Sequence, residues 1–268
     1  MPRRDRYPPG APCWAELTAQ DLGEAVRFYG ELFGWEIVPL REGYLRFTLD
    51  GAAVAGVWPE PASSGAAGWT VYFTVEDIRA LTLLVEEAGG RVVMEPTELE
   101  DYGVLGGYLD PEGVHFMGWQ PRSKAGAEVV AEDRTWAWTE LFTRDMEAAE
   151  SFYPRVFGWG RARQGLRVRW ITEGRPVASM LPITPEVPDE ALATWLVHFC
   201  VPDVEAAARR AEELGAHRIA TYTDPLYGLG VSLTDPQNAT FLLTSTSTAL
   251  ARARPPSREP DEDGPEGF

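Results

Sequence analysis

WAELTAQDLGEAVRFYGELFGW, residues Trp14–Trp35, returns as WTELFTRDMEAAESFYPRVFGW, residues Trp138–Trp159. The second copy begins 124 residues after the first, at Trp138 rather than Trp14. Each copy opens Trp-x-Glu-Leu, reaches an Asp, and ends Phe-Gly-Trp. In the first copy Ala25, Phe28, Tyr29, Leu32 and Phe33 fall at helical spacing, and Gly34 fits a C-cap. A short strand followed by a helix is therefore expected twice.

The pattern extends outward from both copies. WEIVPL, GYLRFTLDG and AAVAGVW read as three strands after the first helix. WTVYFTVED and IRALTLLVEEAGG then repeat the strand and helix, with Ile78, Leu81, Leu84, Val85 and Ala88 on one face. RVVMEPTE, GVLGGYLD and VHFMGWQ complete that unit. A third unit starts at Trp136 and a fourth at Trp195, where WLVHFCVPD leads into VEAAARRAEELGA. LDPEG at Leu109 answers TDPQN at Thr234. The expectation is an α+β chain of four βαβββ units in two similar halves, 12–120 and 135–246. Residues 1–11 are expected to be a flexible arm, 121–134 a linker and 247–268 a disordered tail. The loops PEPASSGAAG and TPEVPDEALAT recur at one point in each half, as connectors or as cavity rims. The glycines of DYGVLGGYLD are read as a turn or bulge.

Composition limits the function classes. The chain has 268 residues, 44% of them hydrophobic, enough for two domain cores. A formal net charge of −17 argues against nucleic acid or an anionic membrane as partner. Cys13 and Cys200 are too few for a disulfide framework and fit a reducing compartment. MPRRDRYPPGAP has no apolar stretch behind it and does not read as a secretory signal. The expectation is a cytoplasmic protein, monomer or homodimer, whose partner is a small molecule.

FYGELFGW and FYPRVFGW, each after a strand and an Asp, together with tandem βαβββ units and a DPEG turn, resemble the vicinal oxygen chelate superfamily. That superfamily comprises glyoxalase-like, bleomycin-resistance-like and extradiol-dioxygenase-like proteins. The resemblance spans roughly 12–120 and 135–245. It implies two tandem modules, each an open mixed β-barrel around a cavity. It also implies His, Glu or Gln ligands for a divalent metal on the first and last strands. The first-strand position lies seven residues before the helix-opening Asp, which gives Trp14, Thr70, Trp138 and Leu196 here. The last-strand position lies seven residues after the DP-turn Asp, which gives Met117 and Leu242. Indole, thioether and alkyl groups do not replace imidazole or carboxylate for a hard cation. The resemblance therefore predicts the fold, and the expectation is that the usual metal is absent.

Strand alternation places candidate pocket residues. Trp14 and Glu16 share the inner face of their strand, as do Trp138 and Glu140. Tyr72 follows Thr70 and His198 follows Leu196 on that face; His115, Met117 and Trp119 share another with one another. The candidate ligand-binding set is Trp14, Tyr72, His115, Met117, Trp119, Trp138, Leu196 and Leu242. An inward carboxylate must be paired, protonated or solvated. His198 is the candidate for proton transfer, with Glu140 as partner if units three and four share a barrel, or Glu16 if units one and four do. His217 reads as a surface residue after a helix end. Besides a structural remnant with filled barrels and no pocket, two function classes follow. One is a metal-independent protein binding an aromatic or hydrophobic organic molecule, as in drug or natural-product sequestration, resistance or biosynthesis. The other is an enzyme, an isomerase, lyase or oxygenation-related catalyst with a His/Glu pair, or a metal-dependent glyoxalase or dioxygenase with atypical ligands.

Overall fold

A computed structural model describes residues 3–41, 44–59, 67–183, 193–224 and 228–245. Module 1 runs β1 (Pro12–Ala19), α1 (Leu22–Phe33), β2 (Glu36–Arg41), β3 (Tyr44–Leu49), β4 (Ala52–Pro59), β5 (Gly68–Thr74), α2 (Ile78–Glu87), β6 (Arg91–Leu99), β7 (Gly103–Leu109) and β8 (His115–Pro121). Module 2 runs β9 (Trp136–Thr143), α3 (Met146–Phe157), β10 (Gly160–Gln164), β11 (Arg167–Thr172), β12 (Arg175–Pro182), β13 (Thr194–Val201), α4 (Val204–Glu213), β14 (His217–Asp224), β15 (Gly228–Thr234) and β16 (Thr240–Ser245). The tail 247–268 and most of both connector loops lie outside the described residues. No described helix is long and apolar enough to cross a membrane.

The repeated Asp is the helix N-cap. Asp21, Asp77, Asp145 and Asp203 each accept a backbone N–H from the first turn. Gly34 and Gly158 end α1 and α3 at φ 69° and 68°, the left-handed conformation that a side chain resists. On α2 the buried residues are Ile78, Leu81 and Val85; Leu84 falls beyond the buried stripe and is exposed.

Each module is one eight-stranded sheet, ordered β2-β3-β4-β1-β5-β8-β7-β6 in module 1 and β10-β11-β12-β9-β13-β16-β15-β14 in module 2. Units one and two therefore share a sheet, and so do units three and four. The β1–β5 and β9–β13 pairs join them antiparallel, with β4–β1, β5–β8, β12–β9 and β13–β16 parallel. The outermost strands β2 and β6 are not bonded to each other, so the sheet stays open. Leu40 on β2 and Met94 on β6 nonetheless line one cavity, so the sheet curls.

The glycines of β7 belong to a strand, not to a turn. A Cβ at Gly103 would lie 2.6 Å from the Trp119 ring, and one at Gly106 would lie 2.5 Å from the Tyr108 hydroxyl. Aromatic side chains cross the strand there, and only glycine leaves room. The bulges lie on the neighbouring β6.

Helices α1 and α3 each bridge the two modules. Tyr29 on α1 donates to Asp235 of module 2 at 3.0 Å and accepts from Trp69 Nε1 at 3.0 Å. Tyr153 on α3 donates to Asp110 of module 1 at 2.9 Å and accepts from Trp195 Nε1 at 3.0 Å. Gln237 caps the start of α1, and Glu112 accepts from Thr143 and from the Arg144 N–H at the start of α3. The Phe-Gly-Trp repeat has the same logic: Trp35 Nε1 donates to Arg134 O ahead of β9, and Trp159 Nε1 to Gly10 O ahead of β1. Phe28, Phe33, Phe199 and Phe241 pack around α1; Phe73, Phe116, Phe152 and Phe157 pack around α3. One apolar core runs between the modules.

The segment 121–134 is bonded to both modules, its first part to module 1 and Ala131 and Arg134 to Trp136 O and Cys200 O of module 2. The Ala127 N–H donates to Cys13 O at 2.8 Å, and the Glu128 N–H to Ala53 O at 2.7 Å. Gly126 sits at φ 144°, and a Cβ there would stand 2.2 Å from Cys13 O. Gly126→Ala is expected to destabilise the fold by roughly 1–3 kcal/mol through backbone strain and this clash. Chemical denaturation measures it, and an unchanged midpoint would refute the placement.

Candidate functional site

Strand alternation divides β1 cleanly. Ala15, Leu17 and Ala19 enter the core between modules, while Trp14, Glu16 and Thr18 face a cavity of about 560 Å³. A bulge between Pro12 and Trp14 sets the register. Across the sheet Trp14 lies opposite Tyr72, Tyr72 beside Met117, Met117 opposite Gly107, and Gly107 opposite Met94. The neighbouring row carries Arg46, Gly56, Glu16 and Thr70. Tyr44, Trp58, Tyr102, Leu105 and Trp119 complete much of the wall.

The wall is largely aromatic and apolar, with its polar groups fixed. The Tyr72 hydroxyl donates to Glu16 Oε1 at 2.8 Å. Burial, and then the negative charge of Glu16, holds the Tyr72 phenol well above its ordinary pKa, so it remains a donor. Trp14 Nε1 donates to the Tyr44 hydroxyl at 3.1 Å, and Trp119 Nε1 donates to Lys124 O at 2.9 Å. His115 sits at the mouth, open to water yet partly stripped of hydration by the wall, which lowers its pKa. Cys13 lies behind Tyr72 at 0% exposure, and burial raises its thiol pKa, so it stays an unreactive thiol.

Six of the sequence candidates meet here: Trp14, Glu16, Tyr72, His115, Met117 and Trp119. Trp138, Glu140, Leu196, His198 and Leu242 lie in module 2. Glu140 is 1% exposed and His198 0%. Arg167 Nε donates to Glu140 Oε1 at 2.8 Å, the Ser179 hydroxyl donates to the same oxygen at 2.6 Å, and Trp138 Nε1 donates to Ser179 at 2.7 Å. His198 Nε2 stands 3.9 Å from Glu140 Oε2. Leu242 pairs with His198 across β13 and β16, and Leu196 with Glu140 across β9 and β13. Of the two partners open to His198, the shared sheet brings Glu140. Glu16 is in the other module, bonded to Tyr72. His217 is exposed at the start of β14.

Tyr44, Arg46, Trp58, Tyr102 and Lys124 are cavity residues that sequence reasoning missed. Polar Tyr44, Arg46 and Thr48 alternate with apolar Leu45, Phe47 and Leu49, a signal present in GYLRFTLDG. Lys124 had none, because its place depends on the tertiary course of 121–128.

A divalent cation does not fit the donors at the expected positions. The Trp14 indole N–H is used by Tyr44, Thr70 and Met117 offer a hydroxyl and a thioether, and Leu196 and Leu242 offer nothing. Among the described residues no three His, Cys, Asp or Glu side chains converge as a metal site needs.

The fold and the sequence have known counterparts. The sequence profile of the "Glyoxalase/Bleomycin resistance protein/Dioxygenase superfamily" matches residues 13–117 and 135–243. The "Anthracycline biosynthesis protein DnrV" of Streptomyces peucetius is 35% identical over 258 residues, covering 88% of this chain and 93% of that protein. The "Putative glyoxylase CFP32" of Mycobacterium tuberculosis (strain CDC 1551 / Oshkosh) is 35% identical over 256 residues, 90% of this chain and 97% of that protein. Among solved structures, the Mn(II)-bound glyoxalase from Novosphingobium aromaticivorans aligns with a TM-score of 0.64 at 17% identity, over 89% of this chain and 83% of that one. The 2,3-dioxygenase LapB from Pseudomonas sp. KL28 aligns with a TM-score of 0.62 at 13% identity, over 89% and 93%. At such identities the structures speak for the fold alone. The profile spans both modules and the relatives span nearly the whole chain; this chain belongs to the glyoxalase/bleomycin resistance protein/dioxygenase superfamily.

Proposed function

We propose that the chain binds a planar, largely apolar organic molecule in the module 1 cavity without the help of a divalent metal. One observation carries the reading: a cavity of about 560 Å³ walled by Trp14, Tyr44, Tyr72, Met117 and Trp119. Drug-sized ligands occupy cavities of this size, and aromatic walls favour flat rings. The similar Streptomyces proteins carry names that place them in anthracycline biosynthesis. Anthracyclines are fused-ring aromatics, so a polycyclic aromatic natural product is the ligand class that best suits this wall. The donor chemistry at the family's metal positions supports metal independence.

Calorimetric titration with a hydroxyanthraquinone tests the reading. Saturable binding is expected at one site per chain, unchanged after treatment with a chelator. Trp14→Ala is expected to weaken it about tenfold, the loss of one stacking face. Absence of saturable binding, or loss of it on chelation, would refute the proposal. A second reading, an enzyme, draws on the Tyr72–Glu16 hydrogen bond in the cavity wall, a phenol and carboxylate in position to pass a proton. Product formation from the bound ligand, lost in Tyr72→Phe, would favour it.

A further inference from the structure

The charged groups around the cavity are not equally satisfied. Glu16 accepts from Tyr72, and Glu128 accepts from the Ala53 N–H at 3.0 Å and lies 3.5 Å from Arg3. Arg46 and Lys124 also line the cavity, both half-buried. Neither side chain makes a hydrogen bond or ion pair with a described residue, and the Arg46 Nε is buried with no partner. A half-buried guanidinium without a counter-charge is costly to fold. It is more conspicuous in a chain of net charge −17, where carboxylates outnumber cationic side chains by 41 to 24.

The structure also shows what keeps Arg46 from Glu16. They share one row of the sheet with Gly56 between them, about 10 Å apart at two strand spacings. A Cβ at Gly56 would lie 2.3 Å from the Tyr44 hydroxyl and 2.8 Å from Trp14 Nε1. The indole–phenol hydrogen bond thus lies across Gly56, between the two charges. Module 2 provides the contrast. There Ser179 is the residue opposite Glu140, its hydroxyl bonds the carboxylate, and Arg167 closes an ion pair on it. Module 2 closes an ion pair on its inward carboxylate, whereas module 1 leaves a cation facing the cavity.

We infer that the module 1 cavity selects an aromatic ligand bearing an anionic oxygen, a carboxylate or an ionised phenol, which Arg46 and Lys124 hold. This rests on the ligand-binding reading above and narrows its ligand class. Arg46 presents a planar fork to the oxygen and Lys124 a point charge. The rings lie against Trp14, Tyr72 and Trp119, and the anion replaces the missing counter-charge.

The test uses the full chain and two probes of one shape, anthraquinone-2-carboxylate and the neutral anthraquinone-2-carboxamide. The carboxylate is expected to bind about tenfold tighter, the margin typical of a charge-assisted hydrogen bond, and to lose that margin as salt rises. Arg46→Gln is expected to remove most of the preference of carboxylate over carboxamide. Lys124→Gln is expected to remove a smaller share, and Arg46→Lys to retain part of it. Thermal unfolding of Arg46→Gln at or above the parent's temperature, as expected when an uncompensated cation is removed, checks that the variant is folded. Equal affinity for both probes would overturn this inference and leave the binding reading standing. A preference that survives the double Arg46→Gln, Lys124→Gln variant would overturn the assignment to these residues. Failure of both probes to bind would overturn the binding reading and this inference with it.

Discussion

Arg167→Met lowers the free energy of unfolding by about 3–5 kcal/mol, the cost of stranding one member of a buried ion pair. Glu140 is 1% exposed and Arg167 8%, so water cannot take the place of the lost guanidinium. The Ser179 hydroxyl remains beside the carboxylate but carries no charge, and His198 Nε2 stands 3.9 Å away, too far to replace the hydrogen bond from Arg167. Pairing the change with Glu140→Leu removes the stranded charge and is expected to restore most of the loss, because an apolar pair of similar volume commonly equals a buried bridge. Urea denaturation of the single and double variants measures both effects. A single variant within about 1 kcal/mol of the parent would refute the burial of this pair.

Tyr153→Phe and Tyr29→Phe come next, each costing about 2–4 kcal/mol, because one hydroxyl serves two buried partners. Tyr153 satisfies Asp110 and Trp195; Tyr29 satisfies Asp235 and Trp69. The two variants are expected to match closely, since the two sites repeat each other's geometry. The carboxyls add a pH signature. Burial is the main cause holding Asp110 and Asp235 above their ordinary value of 3.8. A carboxyl that binds its proton more tightly when folded stabilises most when protonated. Its contribution declines as pH rises from 3.8 through the raised value. The stability difference between the parent and Asp110→Asn should therefore shift against the parent over that interval. A difference that does not vary with pH would show that the carboxyl is not desolvated.

Much of the fold was legible in two sequence rules. The repeat at Trp14 and Trp138 defines four units, and two-residue alternation sends Trp14, Glu16 and Tyr72 to one face. Those are local properties of a strand. Unit pairing is not local, so the choice between Glu140 and Glu16 as the neighbour of His198 had to wait for the sheet order. The difference between the modules was hidden for a related reason. Glu16 and Glu140 occupy the same place in the repeat, yet one accepts from a tyrosine in a cavity wall and the other from an arginine in a closed interior. What separates them is a neighbour on another strand, Gly56 in one case and Ser179 in the other. The segment 121–128 reads as a linker from its small and charged residues, while its backbone bonds to Cys13 and Ala53 depend on contacts that composition does not carry.

The bridging helices also bear on how the chain is made. Synthesis proceeds from residue 1, so the first sheet is complete while the ribosome still holds α3. At that stage Asp110 has no tyrosine above it, and Phe116 and Phe73 lie uncovered. The first half emerges with an adhesive end that its own sequence cannot cap. That end is quenched only when Tyr153 and Phe157 leave the exit tunnel, and until then α1 of a second nascent copy, which carries the same Phe-Tyr pair, can compete for it.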